Sequence, residues 1–411
     1  MNLKPNREFE ELCINTIRIL SIDAVQNANA GHPGMPMGAA AMAYTLWTQF
    51  LKHNPRNPQW FDRDRFVLSG GHGSMLLYSL LYLSGYDLAL DEIKHFRKWG
   101  SKAAGHPERG LAPGVEVTTG PLGQGFGNGV GLAIAEAWLA ARYNRPGHKI
   151  VDHYTYAECG DGDLMEGISQ EAASLAGHLR LGKLIYLYDQ NHISLAGATG
   201  IDFTEDVAKR FDADGWHTRV VPDGNNTDDV ALAIQEAQAD GRPSLILVRT
   251  HIGYGSPHKQ DNFSAHGDPL GEEELQATKK ALGWPTMEKF YLPQDSLEYF
   301  RQAVPAGKQL EDEWKKQFDA YEQEFPEEAA EFELIMSGKL PEKWDVDLPK
   351  WKPSDKPAAT RAAGGEAINA LAKHIPNLAG GSADLNPSTR TALKGLGDFQ
   401  PSELSKAGTL V

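Results

Sequence analysis

Two apolar-aromatic stretches, one answering the other about thirty residues later, each run straight into an acidic turn. Val151 to Ala157 feeds Gly160-Asp161-Gly162-Asp163-Leu164-Met165-Glu166-Gly167, and Lys183 to Tyr188 feeds Asp189-Gln190-Asn191-His192-Ile193. The order strand, turn, helix, strand, turn places both turns at the same end of a parallel sheet. Asp161 and the side-chain oxygen of Asn191 are then expected to converge on one hard cation. Gly160 and Gly162 let the backbone come close to whatever that cation holds. A small cation with few protein ligands completes its shell with a ligand's phosphates, so a diphosphate cofactor is the natural third party. Alone, Gly-Asp-Gly is a turn tripeptide; its pairing at βαβ spacing is what points to a metal.

The chain has 411 residues, enough for two or three domains and a large buried core. Forty basic against 55 acidic residues give a net charge of −15, which disfavours nucleic acid and anionic membranes as partners. With only Cys13 and Cys159 there is no disulfide framework, and a reducing compartment is expected. The N-terminus has no apolar signal region and no apolar run is long enough to span a bilayer, so the expectation is a soluble cytoplasmic protein.

Apolar periodicity predicts helices over 8–29, 37–52 and 74–83, with a short strand at 64–69. Residues 99–126 are rich in Gly and Pro and too long for an ordinary connection, which suggests a functional loop. Gly127 to Tyr143 reads as a small-residue helix. Strands at 151–157, 183–188, 217–222 and 244–249 then alternate with helices at 165–178, 204–212 and 227–238. The fold class is therefore α/β, a doubly wound parallel sheet flanked by helices. The expected division is an α/β domain over 1–282, a charged helical linker over 283–358, and a second, incomplete α/β domain over 359–411. That last segment contributes a helix at 360–373, a strand at 378–385 and a polar tail at 386–411.

Thr118 to Gly127 is a glycine-rich loop opening a helix, where backbone N–H groups suit a diphosphate. It has neither a P-loop ending nor dinucleotide-binding spacing. His32, His72, His106 and His266 each sit in a Gly- or Pro-rich turn where the chain leaves an element. They are far apart in sequence and lack cysteine partners. Binding hydroxyls and shuttling protons therefore suits them better than a zinc cluster.

At these residues the chain resembles the transketolase family. The resemblance is carried by Gly31-His32-Pro33-Gly34, Gly105-His106-Pro107-Glu108, Pro113 to Gly125, Gly160-Asp161-Gly162, Asn191-His192-Ile193, Gly253 to Gly255, His266-Gly267 and Gly380 to Leu385. It runs from about residue 8 to the end. It implies a thiamine-diphosphate-binding fold: a diphosphate-binding domain, a linker and the start of the pyrimidine-binding domain. It further implies that Asp161, Asn191 and the carbonyl of Ile193 hold Mg²⁺ or Ca²⁺. His72, Gly120, Pro121, Leu122, Gly162, Asn191 and His266 would contact thiamine diphosphate. His32, His106 and His266 would be catalytic, with His32 and His266 binding the donor sugar, and Arg361 and Ser388 would bind its phosphorylated end. Glu166 and Glu171 resemble subunit-interface carboxylates. The implied activity is transfer of a two-carbon ketol unit from a ketose phosphate to an aldose phosphate, by a homodimer in the full-length form.

Two departures qualify that expectation. The family's glutamate that activates the cofactor lies beyond residue 411, so these residues alone are expected to be inactive, or to act as the cofactor-binding subunit of a split enzyme. His258 stands where the family leads one to expect an Asn-type residue. A dihydroxyacetone synthase-like enzyme is an alternative, while the histidine set argues against a deoxyxylulose-phosphate synthase.

Overall fold

A computed structural model describes residues 5–401. Helix α1, Arg7–Ala28, starts where the Asn6 side chain accepts the Phe9 N–H. It is followed by α2 (Gly34–Gln49), β1 (Arg65–Leu68), α3 (Ser74–Ser84) and the short α4 (Leu90–Lys94). The Gly/Pro-rich loop then leads into α5, Gln124–Tyr143. The alternating part comprises β2 (Thr155–Gly160), α6 (Asp161–Met165), α7 (Gly167–Leu179), β3 (Leu184–Gln190), α8 (Val207–Ala213), β4 (His217–Val221), α9 (Thr227–Ala239) and β5 (Ser244–Arg249). Helices α10 (Glu272–Ala281), α11 (Gln294–Arg301), α12 (Ala303–Glu324), α13 (Pro326–Met336), α14 (Thr360–Leu371) and α15 (Asn386–Thr389) follow among the described residues.

The five strands pair in the order β1-β2-β3-β5-β4, all parallel. The α/β parallel-sheet fold is as expected. One face carries Phe66, Leu68, Tyr156, Ile185, Leu187, Ile246 and Val248, which join a large core with α1, α2 and α3. On the other face Tyr186 stacks on Phe126 of α5, ring centroids 4.2 Å apart, beside Trp216. Burial on both faces accounts for strands that read as apolar runs rather than alternations.

The chain forms two compact units. The first holds Met1–Ala137 and Asp152–Trp314, and with them the whole sheet. The second holds Trp138–Val151 and Lys315–Val411. Its core gathers Tyr143, Phe318, Tyr321 and Phe332, and Arg142 pairs with Glu331 at 2.6 Å.

One local expectation needs correcting. Residues 378–385 form no strand: Ala383 and Asp384 have φ of 43° and 64°, left-handed values incompatible with extended backbone. A lone segment with no sheet to join has nothing to hold it extended. The helix expected over 165–178 is α7, and a separate short helix, α6, precedes it, the two parted at Glu166, whose ψ of 139° is extended. Of the tail expected at 386–411, residues 386–389 are helical, and 402–411 lie outside the described residues.

Candidate functional site

The carboxyl ends of neighbouring strands β2 and β3 carry the two acidic turns, and Gly160 is in register with Asp189. Asp161 is buried at the start of α6. One of its oxygens accepts from the Tyr188 hydroxyl and the other from the His192 N–H, at 3.1 Å. Burial raises its pKa above the usual carboxylate value, and the Tyr188 hydrogen bond opposes that. Asn191 donates to Asp189 at 3.0 Å, while its Oδ1 accepts the Ile193 N–H at 2.9 Å. That turn aims the amide oxygen and orders the backbone at Ile193.

Asp163 was not singled out from the sequence, yet it joins three segments. Its carboxylate accepts Gly160 N–H at 3.0 Å, Gly123 N–H at 2.8 Å and the Ser69 hydroxyl at 2.7 Å. The end of β2, the glycine-rich loop and the end of β1 are thereby locked together. Asp189 was likewise unassigned. It accepts from Thr250 after β5, and burial raises its pKa to about 6. The available signal was position: Asp189 lies at the carboxyl end of β3 and Asp163 three residues after the end of β2.

The glycine-rich loop needs its glycines. Gly120 has φ of +148°, and a Cβ there would lie 3.3 Å from the His106 ring. Pro121 and Leu122 are exposed beside it, and a Cβ on Gly162 would meet Leu122 at 3.0 Å.

The four histidines, distant in sequence, come together. His32 lies 5.2 Å from His72, 5.7 Å from His266 and 6.2 Å from His106, centroid to centroid. His72 and His266 stack at 4.9 Å with planes 15° apart. Burial lowers every one of these imidazole pKa values, that of His32 to about 4 with help from neighbouring His266 and Arg97. All four are therefore neutral at physiological pH, able to accept a proton. The Nδ1 of His32 is buried without a hydrogen-bond partner.

Two of the histidines, both acidic turns and the glycine-rich loop border one cleft of about 430 Å³, lined among others by His72, His266, Gly120, Leu122, Gly162, Asp161, Asn191 and Ile193. Arg361, at the start of α14, and Ser388, in α15, belong to the second unit, where both are exposed. At the departure noted above, His258 is anchored by Glu274, which accepts from its backbone N–H at 2.9 Å and contacts its Nδ1 at 2.8 Å.

The family profile "Transketolase, thiamine diphosphate binding domain" matches residues 9–341. The chain belongs to the transketolase family. A transketolase of Geobacillus stearothermophilus is 58% identical over 395 residues, covering 96% of this chain and 59% of that protein. Transketolase-1, chloroplastic, of Arabidopsis thaliana is 54% identical, covering 94% of this chain and 52% of its own length. The crystal structure of Pichia stipitis transketolase in complex with sedoheptulose-7-phosphate superposes with a TM-score of 0.93 at 45% identity, covering 96% of this chain and 58% of that one. The chain thus spans less than two thirds of the transketolases it matches. Among the described residues no helix is long and apolar enough to cross a membrane.

Proposed function

We propose that this chain provides the metal- and diphosphate-binding part of a transketolase, an enzyme moving a two-carbon ketol unit between sugar phosphates. The observation that carries the reading is the convergence of both acidic turns, the glycine-rich loop and the neutral His72 and His266 on one cleft, with His32 packed against both histidines and His106 beside His32. The donor set suits a hard cation: one carboxylate (Asp161), one amide oxygen (Asn191) and one carbonyl (Ile193), with Mg²⁺ or Ca²⁺ as the ion. His72, Gly120, Pro121, Leu122, Gly162, Asn191 and His266 would hold thiamine diphosphate. Bound there, the cofactor supplies the nucleophile and the electron sink for cleavage beside the ketose carbonyl.

What the chain's own residues contribute follows from their protonation. A neutral imidazole takes the proton of the sugar's C3 hydroxyl as the adjacent C–C bond breaks. His32, His106 and His266 are neutral and grouped, so they serve as base and as hydroxyl ligands. Arg361 and Ser388 are assigned to the phosphate end of the sugar. Sedoheptulose 7-phosphate, held by the Pichia stipitis relative, is of the expected substrate class. The division at 282 and 358, homodimerisation and a cytoplasmic setting belong to the same reading.

The test is a coupled assay with a ketose phosphate donor, an aldose phosphate acceptor, Mg²⁺ and thiamine diphosphate. Residues 1–411 alone are expected to give no transfer, and addition in trans of a relative's complementary portion to restore it. Transfer by the 411 residues alone would overturn the inactivity of this portion. Failure of both would count against the functional reading.

A further inference from the structure

Glu158 breaks the pattern of its strand. It pairs in register with Leu68 of β1 and Leu187 of β3, and Leu187 pairs with Ile246 of β5. Partnered residues of parallel strands point to the same face, so Glu158 lies in a row that is aliphatic at Leu68, Leu187 and Ile246 and ends in Arg219 on the edge strand β4. Only 2% of the residue is exposed, and neither carboxyl oxygen has a hydrogen-bond partner. It nevertheless lines the cleft, together with Met35, His72 and His266.

The surroundings select its protonation state. Asp189 from β3 and Asp163 from α6 are the charged groups nearest in effect, both of the same sign as an ionised glutamate. Asp161 lies three residues on, and the imidazoles of His72 and His266, which also line the cleft, are uncharged. Burial and these carboxylates together drive the Glu158 pKa well up. A neutral carboxylic acid carries an O–H donor, and here it meets no acceptor from the protein. Stability does not explain the residue, since leucine would continue the row without burying a polar group.

We propose that Glu158 is a ligand-contacting residue of the cleft, held as the neutral acid and donating its hydroxyl to an acceptor atom of bound thiamine diphosphate. This rests on the cofactor assignment made above.

Two variants separate the contact from a packing effect. Glu158→Gln keeps an N–H donor and the shape, whereas Glu158→Leu makes the row aliphatic from Leu68 to Ile246. Calorimetric titration with thiamine diphosphate and Mg²⁺ should give an affinity within about 3-fold of the unaltered chain for Glu158→Gln. For Glu158→Leu it should fall about 10-fold, the loss of one buried hydrogen bond, while the melting temperature rises. Infrared difference spectra at neutral pH should contain a protonated-carboxyl band that Glu158→Gln removes and that the cofactor shifts. Cofactor affinity unchanged in Glu158→Leu, or a band indifferent to cofactor, overturns the proposal. Absence of Mg²⁺-dependent binding by the unaltered chain, or binding that survives Asp161→Ala, instead overturns the cofactor assignment, and the proposal with it.

Discussion

Tyr188 donates its hydroxyl to Asp161 from the neighbouring strand, so the residue that opens α6 is positioned by β3. The His192 N–H takes the other oxygen. The two acidic turns are therefore one assembly, with the Asp161 carboxylate as its joint. Tyr188→Phe removes one hydrogen bond to that carboxylate, worth about 1 kcal/mol. Mg²⁺-dependent cofactor affinity should fall about 3- to 10-fold with little change in fold, measured by calorimetry and circular dichroism.

The histidine cluster predicts a pH dependence of stability. His32 has a folded pKa of about 4 against an ordinary 6.5, so the unfolded chain binds its proton first. The resulting stabilisation is fully present above pH 6.5 and is lost as pH falls toward 4. His72, His106 and His266 shift in the same direction. Urea midpoints measured from pH 7 to pH 5 should therefore decline, and His32→Asn should decline less steeply. An equal slope in the variant would refute the assignment to His32.

Lys279 and Asp23 form an ion pair of 2.8 Å with almost no exposure on either side. Lys279 also donates to the Glu288 carbonyl, and Asp23 accepts the Phe290 N–H, so the pair ties α1 to α10 and to the segment beyond it. Lys279→Met leaves a buried carboxylate without its cation and should destabilise by about 3–5 kcal/mol. Chemical denaturation reads this directly. The double variant Asp23→Leu/Lys279→Met should recover much of the loss.

Helix α5 approaches β3 so closely at Gly129 that an added Cβ would run into the Tyr186 hydroxyl. Gly129→Ala should cost about 1–3 kcal/mol through overpacking, despite alanine's better helix propensity. Combining it with Tyr186→Phe, which removes the clashing oxygen, should restore part of that stability in thermal melts.

The βα alternation was legible because strands buried on both faces are continuous apolar runs ending in turn residues. Their limits were less so. The run from Val151 suggested a strand from 151, but β2 begins at Thr155 because Asp62 and Asp64 capture the N–H groups of Asp152 and Tyr154. The short helix α6 was hidden, since Gly160-Asp161-Gly162 reads as a turn, whereas Asp163 caps the Gly160 N–H from within α6. Each site histidine could be placed in a turn, but their convergence depends on strand order and on α2 packing, which local periodicity does not encode. Glu158 was overlooked because one acidic residue in an apolar run reads as tolerated filler. Its parity in the strand, matching buried Tyr156, was the available sign.

The most direct test of the whole account is calorimetric titration of the purified chain with thiamine diphosphate, in Mg²⁺ and in a chelator, for the unaltered sequence and Asp161→Ala. Binding that requires Mg²⁺ and is abolished by Asp161→Ala is the predicted result. Binding indifferent to both Mg²⁺ and the substitution would contradict it.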